Sequence, residues 1–322
     1  ITFLKSGIDP KLKYNDYTGY YQIGNWKWRA WKRGGHGATD MKKSLVESAN
    51  TYYYKFSDQI GYAPIVKTAR DFGLGNITGI DVPGEKKGII PDPDWKKKRT
   101  KTVWYRGDTI LLSIGQGFTL VTPIQLAKAY TFLANKGWAY EPHVVSKIED
   151  LQTGKIETVT TQKTVIEDYP KSYYDIINDA LIATVDQNNG TTRIMRNPYV
   201  KVAAKSGSAQ NPHSKLTHAW AAGYFPADKE PEVVFVCLLE GAGGGGVMAG
   251  GMAKRFLDKY LEVEKGIVPV QNTPHTEPKN TNSTIQTNGN QENESSGEGI
   301  GEERENEERE TGETNTVEEQ QN

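Results

Sequence analysis

Apolar residues recur three and four positions apart in several stretches of the chain, and this spacing predicts amphipathic helices. The predicted helices cover 39–60, 122–136, 172–185 and 247–261. The second has the clearest start, because Thr122 is an expected N-cap, Pro123 occupies the first helical position and Gln125 completes a capping box. Gly137 is expected to end it.

After Gly190 the pattern changes to short segments that favour β-structure. Strands are predicted over 199–205, 219–225 and 232–239, with a hairpin connection between the last two. A block of helices, then an antiparallel run closed by a helix, predicts an α+β fold: an antiparallel β-sheet flanked by helices. Residues 9–36 instead combine seven large aromatic side chains with turn formers, which favours a packed irregular region.

Composition divides the chain at about residue 265. Residues 271–322 contain 13 acidic and 3 basic residues, a net charge of −10, which leaves 36 basic and 27 acidic residues, a net charge of +9, in 1–270. We therefore predict a folded domain over 1–265 and a disordered acidic, polar tail over 266–322, because the tail has too few apolar groups to offset the entropy of ordering.

Several classes of protein do not fit this composition. The longest apolar run, 233–239, is far shorter than the roughly 20 residues of a membrane helix. The single cysteine, Cys237, lies within that run and is interpreted as a small buried residue rather than part of a disulfide framework. The chain opens in an apolar, helix-like stretch at Ile1, so we expect it to be part of a longer protein.

Two short motifs carry candidate chemistry. Ser48-Ala49-Asn50 lies inside the first predicted helix, and Lys205-Ser206-Gly207 closes a predicted strand. Triplets of the S-D-N and K-T-G type, together with S-x-x-K, mark serine acyl-enzymes of the β-lactamase and penicillin-binding type. Each triplet alone is weak evidence, but their order and their placement on helix and strand favour this interpretation.

Longer strings strengthen the likeness. They are Trp104-Tyr105-Arg106-Gly107-Asp108-Thr109, Gly115-Gln116-Gly117, Thr122-Pro123-Ile124-Gln125-Leu126-Ala127, Lys205-Ser206-Gly207-Ser208-Ala209-Gln210, His218-Ala219-Trp220 and Gly223-Tyr224-Phe225-Pro226. Over residues 1–262 the chain resembles the transpeptidase domain of class B penicillin-binding proteins, most of all its elongation-type members. The resemblance implies the penicillin-binding protein/β-lactamase-like transpeptidase fold.

The resemblance also implies roles for individual residues. Ser48 would relay a proton between the reacting amine and the active-site lysine, and Asn50 would hold that lysine and the substrate amide. Lys205 would supply positive potential for the substrate carboxylate and favour an unprotonated catalytic amine. Ser206 and Ser208 would bind the carboxylate, with the Ser208 N–H in the oxyanion hole, and Gly207 would allow close backbone approach. Ser206 replaces the threonine of the family, a change that keeps the hydroxyl.

The nucleophile is not identified in this chain. No serine is followed by lysine at the third position, and Thr2 and Thr39 reproduce only the spacing. The family's S-x-x-K motif lies a few residues before the segment that matches Ile1. We therefore expect the nucleophile upstream and the chain alone to lack acylation activity.

Three further patterns have competing interpretations. Some elongation-type relatives hold zinc with Asp, Asp, His and Cys, of which Asp16 and His36 match two, while Ala30 and Ala49 stand at the other two positions; no metal is predicted. The basic run 96–101 could indicate nucleic-acid binding, but a solvated loop is the preferred interpretation. The glycine-rich run 241–246 lacks the Gly-Lys-Ser/Thr of a phosphate-binding loop and is interpreted as a flexible lip.

The resemblance implies a peptidoglycan D,D-transpeptidase of cell-wall elongation and cell shape, a serine acyltransferase without a cofactor. Peptidoglycan stem peptides would be its substrates, β-lactams would acylate it, and a membrane glycosyltransferase would be its partner. It would work at the outer face of the cytoplasmic membrane. The alternatives are a division-type transpeptidase, a D,D-carboxypeptidase, or a non-catalytic cell-wall scaffold module that has lost the serine.

Overall fold

The computed structural model describes residues 1–210 and 215–268, and their fold is α+β, as predicted. The helices are α1 Thr2–Lys5, α2 Met41–Val46, α3 Asn50–Ile60, α4 Tyr62–Asp71, α5 Pro93–Thr100, α6 Arg106–Leu112, α7 Pro123–Ala134, α8 Lys171–Asp186 and α9 Met248–Lys265. The strands are β1 Tyr14–Asp16, β2 Tyr20–Ile23, β3 Trp26–Arg29, β4 Gly37–Thr39, β5 Trp138–Tyr140, β6 Lys147–Glu149, β7 Ile156–Thr158, β8 Lys163–Val165, β9 Ala203–Ala209, β10 His218–Phe225 and β11 Val233–Leu239.

The central sheet is antiparallel in the order β11-β10-β9, so β9 is an edge strand. In its register Lys205 pairs with Ala222 and Ser206 with Ala221. Because successive side chains of a strand point to opposite faces, Lys205 and Ser206 project to different sides of the sheet. This alternation divides the candidate site residues of β9 between the two faces of the sheet.

Helices cover both faces of this sheet. On one face, Ala204, Ala221 and Phe225 pack against α9 through Ala253 and Leu257. The other face, which includes Ala203 and Tyr224, packs against a second cluster. That cluster draws its members from α1, α2, α3, α7 and α8. Helices therefore shield both faces of β9, whereas no other strand of the three-stranded sheet pairs with its outer edge.

Locally encoded elements match their predictions. Helix α7 begins at the predicted N-cap, where Gln125 N–H donates to Thr122 Oγ1 at 3.3 Å and Thr122 N–H donates back to Gln125 Oε1 at 3.0 Å. Helix α8 includes the predicted 172–185 and buries Ile177 and Leu181. Helix α9 extends four residues beyond the predicted Leu261 to Lys265.

Residues 9–36 differ from the prediction of an irregular packed region. They form short strands, with β2 paired to β3 and β1 paired to β4. Three of the seven aromatic residues are mostly exposed, namely Tyr17 at 68%, Trp26 at 76% and Trp31 at 65%. Of these three, only Trp26 lies in a strand, where alternation presents one of every two side chains to solvent. Tyr17 and Trp31 lie in the connections between strands.

The basic run also differs from its prediction as a solvated loop. Residues 93–100 form helix α5. Asp92 is its N-cap, and the Asp92 carboxylate accepts the Trp95 N–H at 2.8 Å. Lys96 is buried and pairs with Asp108 at 2.6 Å, while its three basic neighbours remain exposed. The run is therefore partly structural.

The predicted tail, 266–322, lies outside the described residues except for its first three. The boundary near residue 265 stays a prediction. In the described ranges no helix has both the length and the apolar character needed to cross a bilayer.

Candidate active site

Ser48 lies in a tight turn and not inside a helix, which corrects the prediction of one helix over 39–60. Helix α2 ends at Val46, and Ala49 N–H donates to the Ser44 carbonyl at 2.9 Å while Ser48 N–H donates to the Leu45 carbonyl at 3.3 Å. These two bonds form a Schellman motif, whose C′ position is usually glycine. Ser48 occupies that position with φ +54°, in the left-handed region. The turn separates Ser48 from Asn50, the first residue of α3.

Lys205 lies in the middle of β9, whereas the sequence predicted that it closes a strand over 199–205. The strand covers Ala203–Ala209 and includes all four predicted site residues of this segment. Its small side chains carry little β-propensity of their own, so pairing with β10 sets the register.

The two motifs meet across the sheet–helix boundary. Lys205 Nζ donates to Ser48 Oγ at 2.8 Å and to the Ser206 carbonyl at 2.7 Å. A cleft of about 650 Å³ opens over this contact. All six predicted site residues line it: Ser48, Asn50, Lys205, Ser206, Gly207 and Ser208. The predicted convergence of residues distant along the chain is therefore present, while their catalytic roles stay a prediction.

The surroundings of Lys205 change the pKa of its amine. Desolvation lowers the pKa of Lys205 from 10.5 to about 8. A neutral amine is thereby accessible near physiological pH, and Ser48 offers a hydroxyl that both accepts and donates a hydrogen bond. The pair can pass a proton to or from a group bound in the cleft.

The outer edge of β9 faces the cleft through alternate residues. The carbonyls of Ala204, Ser206 and Ser208 accept hydrogen bonds from side chains and not from the backbone of β10, so they point away from β10. The donors are Thr184 Oγ1 on Ala204 at 2.5 Å, Lys205 Nζ on Ser206 at 2.7 Å and Gln116 Nε2 on Ser208 at 3.4 Å. The N–H of Ser208 shares the direction of its carbonyl. An extended peptide could therefore pair with this edge by strand addition.

The glycine-rich segment forms one wall of the cleft beside β9. Gly245 N–H donates to Ser208 Oγ at 3.0 Å, and a side chain on Gly245 would collide with the Gly207 carbonyl. Gly244 and Gly246 also line the cleft. Glycine is required here by close packing on the strand, which supports the prediction of a lip; its flexibility stays untested.

Sequence reasoning missed several cleft residues. Trp31, Gln116 and Thr191 all line the cleft, and each comes from a different loop. Thr191 N–H donates to the Val46 carbonyl at 3.2 Å, which fastens its loop to the end of α2. Gln116 belongs to a motif that the sequence did single out, but nothing in a single sequence indicates that it reaches Ser208.

The donors near His36 do not suit a zinc ion. His36 Nδ1 lies 2.8 Å from Glu47 Oε2, and the Asp16 carboxylate accepts from Thr51 Oγ1 at 2.7 Å and from the N–H groups of Gly19 and His36 at 2.9 and 3.2 Å. Within residues 1–210 and 215–268, no group of three or more His, Cys, Asp or Glu side chains could hold a metal ion. His36 instead braces the loop through Glu47.

The fold and the two motifs are of the type found in serine acyl-enzyme domains, and comparison with known proteins agrees. The protein-family model described as the penicillin binding protein transpeptidase domain matches residues 2–259 of this chain. The chain belongs to the penicillin-binding protein transpeptidase family.

Particular relatives refine this assignment. The chain is 36% identical over 289 residues to the peptidoglycan D,D-transpeptidase MrdA of Haemophilus influenzae, covering 79% of this chain and 42% of that protein. MrdA of Escherichia coli K12 is 34% identical over 252 residues, covering 73% of this chain and 39% of the relative. The chain thus spans about two fifths of the length of these relatives.

Solved structures give the same result. Pseudomonas aeruginosa penicillin-binding protein 2 in complex with WCK 5153 has a TM-score of 0.72 and 30% identity, covering 84% of this chain and 60% of that one. Helicobacter pylori penicillin-binding protein 2 in complex with MreC has a TM-score of 0.70 and 28% identity, covering 82% and 48%. These similarities agree with the predicted transpeptidase fold and with the predicted elongation-type branch.

Proposed function

We propose that the protein containing this chain is a peptidoglycan D,D-transpeptidase that works through a serine acyl-enzyme. The observation that carries the proposal is the 2.8 Å contact between Lys205 and Ser48 beneath the open edge of β9. This contact places the Ser48 hydroxyl, which can accept and donate a proton, beside a strand edge that can hold an extended peptide.

Two acyl transfers make up the proposed reaction. A serine upstream of Ile1 attacks the carbonyl carbon of a D-Ala-D-Ala stem peptide, the C–N bond breaks, and the terminal D-Ala leaves. Ser48 relays a proton to the departing amine. In the second step the amine of another stem peptide attacks the acyl carbon, the ester C–O bond to the serine breaks, Ser48 accepts the proton from the amine, and the serine oxygen regains a proton. The active-site lysine of S-x-x-K is the other end of this relay, and Asn50 holds it.

The β9 residues bind the substrate in this proposal. The substrate backbone pairs with the strand edge, and the Ser208 N–H is one donor of the oxyanion hole, a position worth about 2.7–4 kcal/mol in other enzymes. Lys205, Ser206 and Ser208 attract the terminal carboxylate, and Gly207 lets the peptide approach closely. β-Lactams acylate the same serine as substrate mimics.

Elongation is the proposed cellular role. The name of the MrdA relatives supports the reaction class, and the similarity to penicillin-binding protein 2 supports the branch. A relative from a peptidoglycan synthase complex, described as coordinating polymerisation and crosslinking, is 28% identical with a TM-score of 0.70 and supports a membrane glycosyltransferase partner. The proposed location is the outer face of the cytoplasmic membrane, with an anchor upstream of this chain.

Fluorescent penicillin tests the reaction. The longer protein, with its S-x-x-K serine, should be labelled, and Lys205→Ala should abolish labelling. Lys201→Ala is the control, because Lys201 is exposed and pairs with Asp186 away from the cleft at 2.7 Å. Full labelling of Lys205→Ala would remove Lys205 from the site, and an unlabelled wild type would favour a non-catalytic scaffold.

A separate test distinguishes an elongation transpeptidase from a division transpeptidase and from a carboxypeptidase. Depletion of the protein should give round cells if it acts in elongation and filaments if it acts in division. A carboxypeptidase would release D-Ala from a stem peptide without forming a cross-linked product when an acceptor amine is present. Analysis of the reaction products by mass spectrometry distinguishes a carboxypeptidase from a transpeptidase.

A further inference from the structure

Glu47, the residue before Ser48, gathers contacts from two separate segments, the connection between β3 and β4 and the loop after α8. His36 Nδ1 lies 2.8 Å from its Oε2, and Asn189 Nδ2 donates to its Oε1 at 2.9 Å. Trp31 Nε1–H donates to its backbone carbonyl at 3.1 Å. Glu47 is 9% exposed and His36 only 3%. A buried carboxylate with this many donors is held in one orientation.

The charge state of Glu47 follows from these contacts. Burial alone would raise the pKa of its carboxyl, but hydrogen bonds from His36 and Asn189 and the nearby cations Lys43 and Lys32 outweigh burial and lower it. An ionised carboxylate only accepts hydrogen bonds, so His36 carries a proton on Nδ1 and donates it. The buried His36 Nε2 has no hydrogen-bond partner among the described residues.

The loop that carries His36 is itself fixed. A side chain on Gly35, which has φ +75°, would collide with the backbone and carboxylate of Asp16. Lys43 Nζ donates to the His36 carbonyl at 2.5 Å. The imidazole therefore approaches Glu47 from a loop that packs closely on Asp16 and is tied to Lys43.

This arrangement bears directly on the strained turn. Glu47 is the C-cap of α2, and Ser48 follows it in the left-handed region, which is unfavourable for a residue other than glycine. Such a conformation persists only where the surroundings impose it. Trp31 and Thr191, whose loops hold Glu47 and Val46, also line the cleft.

We propose that Glu47 is a positioning residue: its carboxylate, held by His36 and Asn189, locks the turn that sets the Ser48 hydroxyl against Lys205. The effect on catalysis rests on the proposed function, whereas the effect on the turn does not. Glu47 does not touch the substrate; it acts through the backbone of Ser48.

Hydrogen exchange tests the turn in this chain without any need for acylation. Glu47→Ala should raise the exchange rates of the Ser48 and Ala49 amides at least about tenfold, equivalent to about 1.4 kcal/mol of local opening free energy. Asp71→Ala is the matched control, since Asp71 also accepts from two side chains, Tyr169 and Lys67, both at 2.7 Å, but lies outside the cleft. Unchanged exchange at Ser48 and Ala49 in Glu47→Ala would overturn the proposal.

Acylation kinetics test the consequence in the longer protein. Glu47→Ala should lower the saturating acylation rate by about 10- to 100-fold, as expected for a misplaced catalytic group, with little change in the affinity for the unreacted β-lactam. Asn189→Ala should cause a smaller loss of the same kind, and Asp71→Ala none. Equal rates in Glu47→Ala and Asp71→Ala would contradict the proposal.

Two further outcomes are distinguishable. If Glu47→Ala does not fold, Glu47→Gln and Asn189→Ala remove single hydrogen bonds and should still speed exchange at Ser48. If the wild type is not acylated, the proposed function fails, and hydrogen exchange still decides whether Glu47 locks the turn.

Discussion

Ala49 donates its backbone N–H to the carbonyl of Ser44 at 2.9 Å, and this bond ends α2 and turns the chain before Asn50. The intervening Ser48 must adopt φ +54°. The Ser48 hydroxyl therefore projects from the end of α2, and the backbone conformation of Ser48 itself sets its direction.

Ser48→Gly should be more stable than Ser48→Ala, which is the reverse of the order expected inside a helix. Ser48→Gly and Ser48→Ala both remove the hydroxyl, but only alanine keeps a Cβ in the left-handed region. We expect the glycine variant to be the more stable by about 1 kcal/mol. In a continuous helix alanine would be favoured by a similar amount. Urea unfolding of the two variants measures the difference, and a more stable alanine variant would contradict the turn.

Lys205 should make stability depend on pH in a defined window. The pKa of Lys205 is about 8 in the folded chain against 10.5 ordinarily, so between these values the unfolded state holds a proton that the folded state has lost. The free energy of unfolding of the wild type, relative to Lys205→Met, should therefore rise from about pH 8 to 10.5 and be lowest below pH 8. Unfolding curves of both proteins across this range supply the comparison. Parallel curves would mean that burial does not shift the pKa of this amine.

Two adjacent glycines should respond differently to alanine. A Cβ on Gly245 would collide with the Gly207 carbonyl, whereas one on Gly244 meets nothing within 4 Å. We expect Gly245→Ala to cost about 1–3 kcal/mol and to distort the cleft wall, as overpacking does. Gly244→Ala is the control and should be nearly neutral. Thermal unfolding of the pair tests this, and equal melting temperatures would argue against close packing of Gly245 on β9.

Alanine substitution of Lys96, the buried lysine of α5, should cost much more stability than alanine substitution of the adjacent Lys97. The side chains of Lys96 and Asp108 are 7% and 14% exposed and 2.6 Å apart. Lys96→Ala leaves the Asp108 carboxylate without this partner and should cost about 3–5 kcal/mol. The adjacent Lys97 is exposed, so Lys97→Ala should change the free energy of unfolding by less than about 0.5 kcal/mol. Similar losses in the two variants would show that the pair is not structural.

Local signals explain which elements could be predicted from the sequence. The start of α7 is encoded within four residues, from Thr122 to Gln125, and was predicted correctly. The end of α2 was not, because serine replaces the glycine that usually marks a left-handed C′ position. The strand prediction over 199–205 followed the larger side chains, whereas β9 takes its register from β10.

The site shows the same division. Order and motif type indicated that Ser48 and Lys205 belong together, but their contact spans 157 positions and depends on the packing of the whole sheet. Trp31 and Thr191 are each held at the site by a hydrogen bond between loops, and Glu47 by several. No periodicity or spacing in one sequence encodes such bonds, so these residues emerge only from the structure.

The outer edge of β9 has a consequence for selectivity. An unpaired strand edge invites indiscriminate pairing with other chains, and here the side chains of Thr184, Lys205 and Gln116 already bind its outward carbonyls. An arriving strand must displace at least the half-buried Gln116 before it can pair. Strand addition at this edge is therefore an exchange of hydrogen bonds, which disfavours pairing with unrelated strands. Under the proposed function, the carboxylate of the stem peptide would offset that exchange at Lys205.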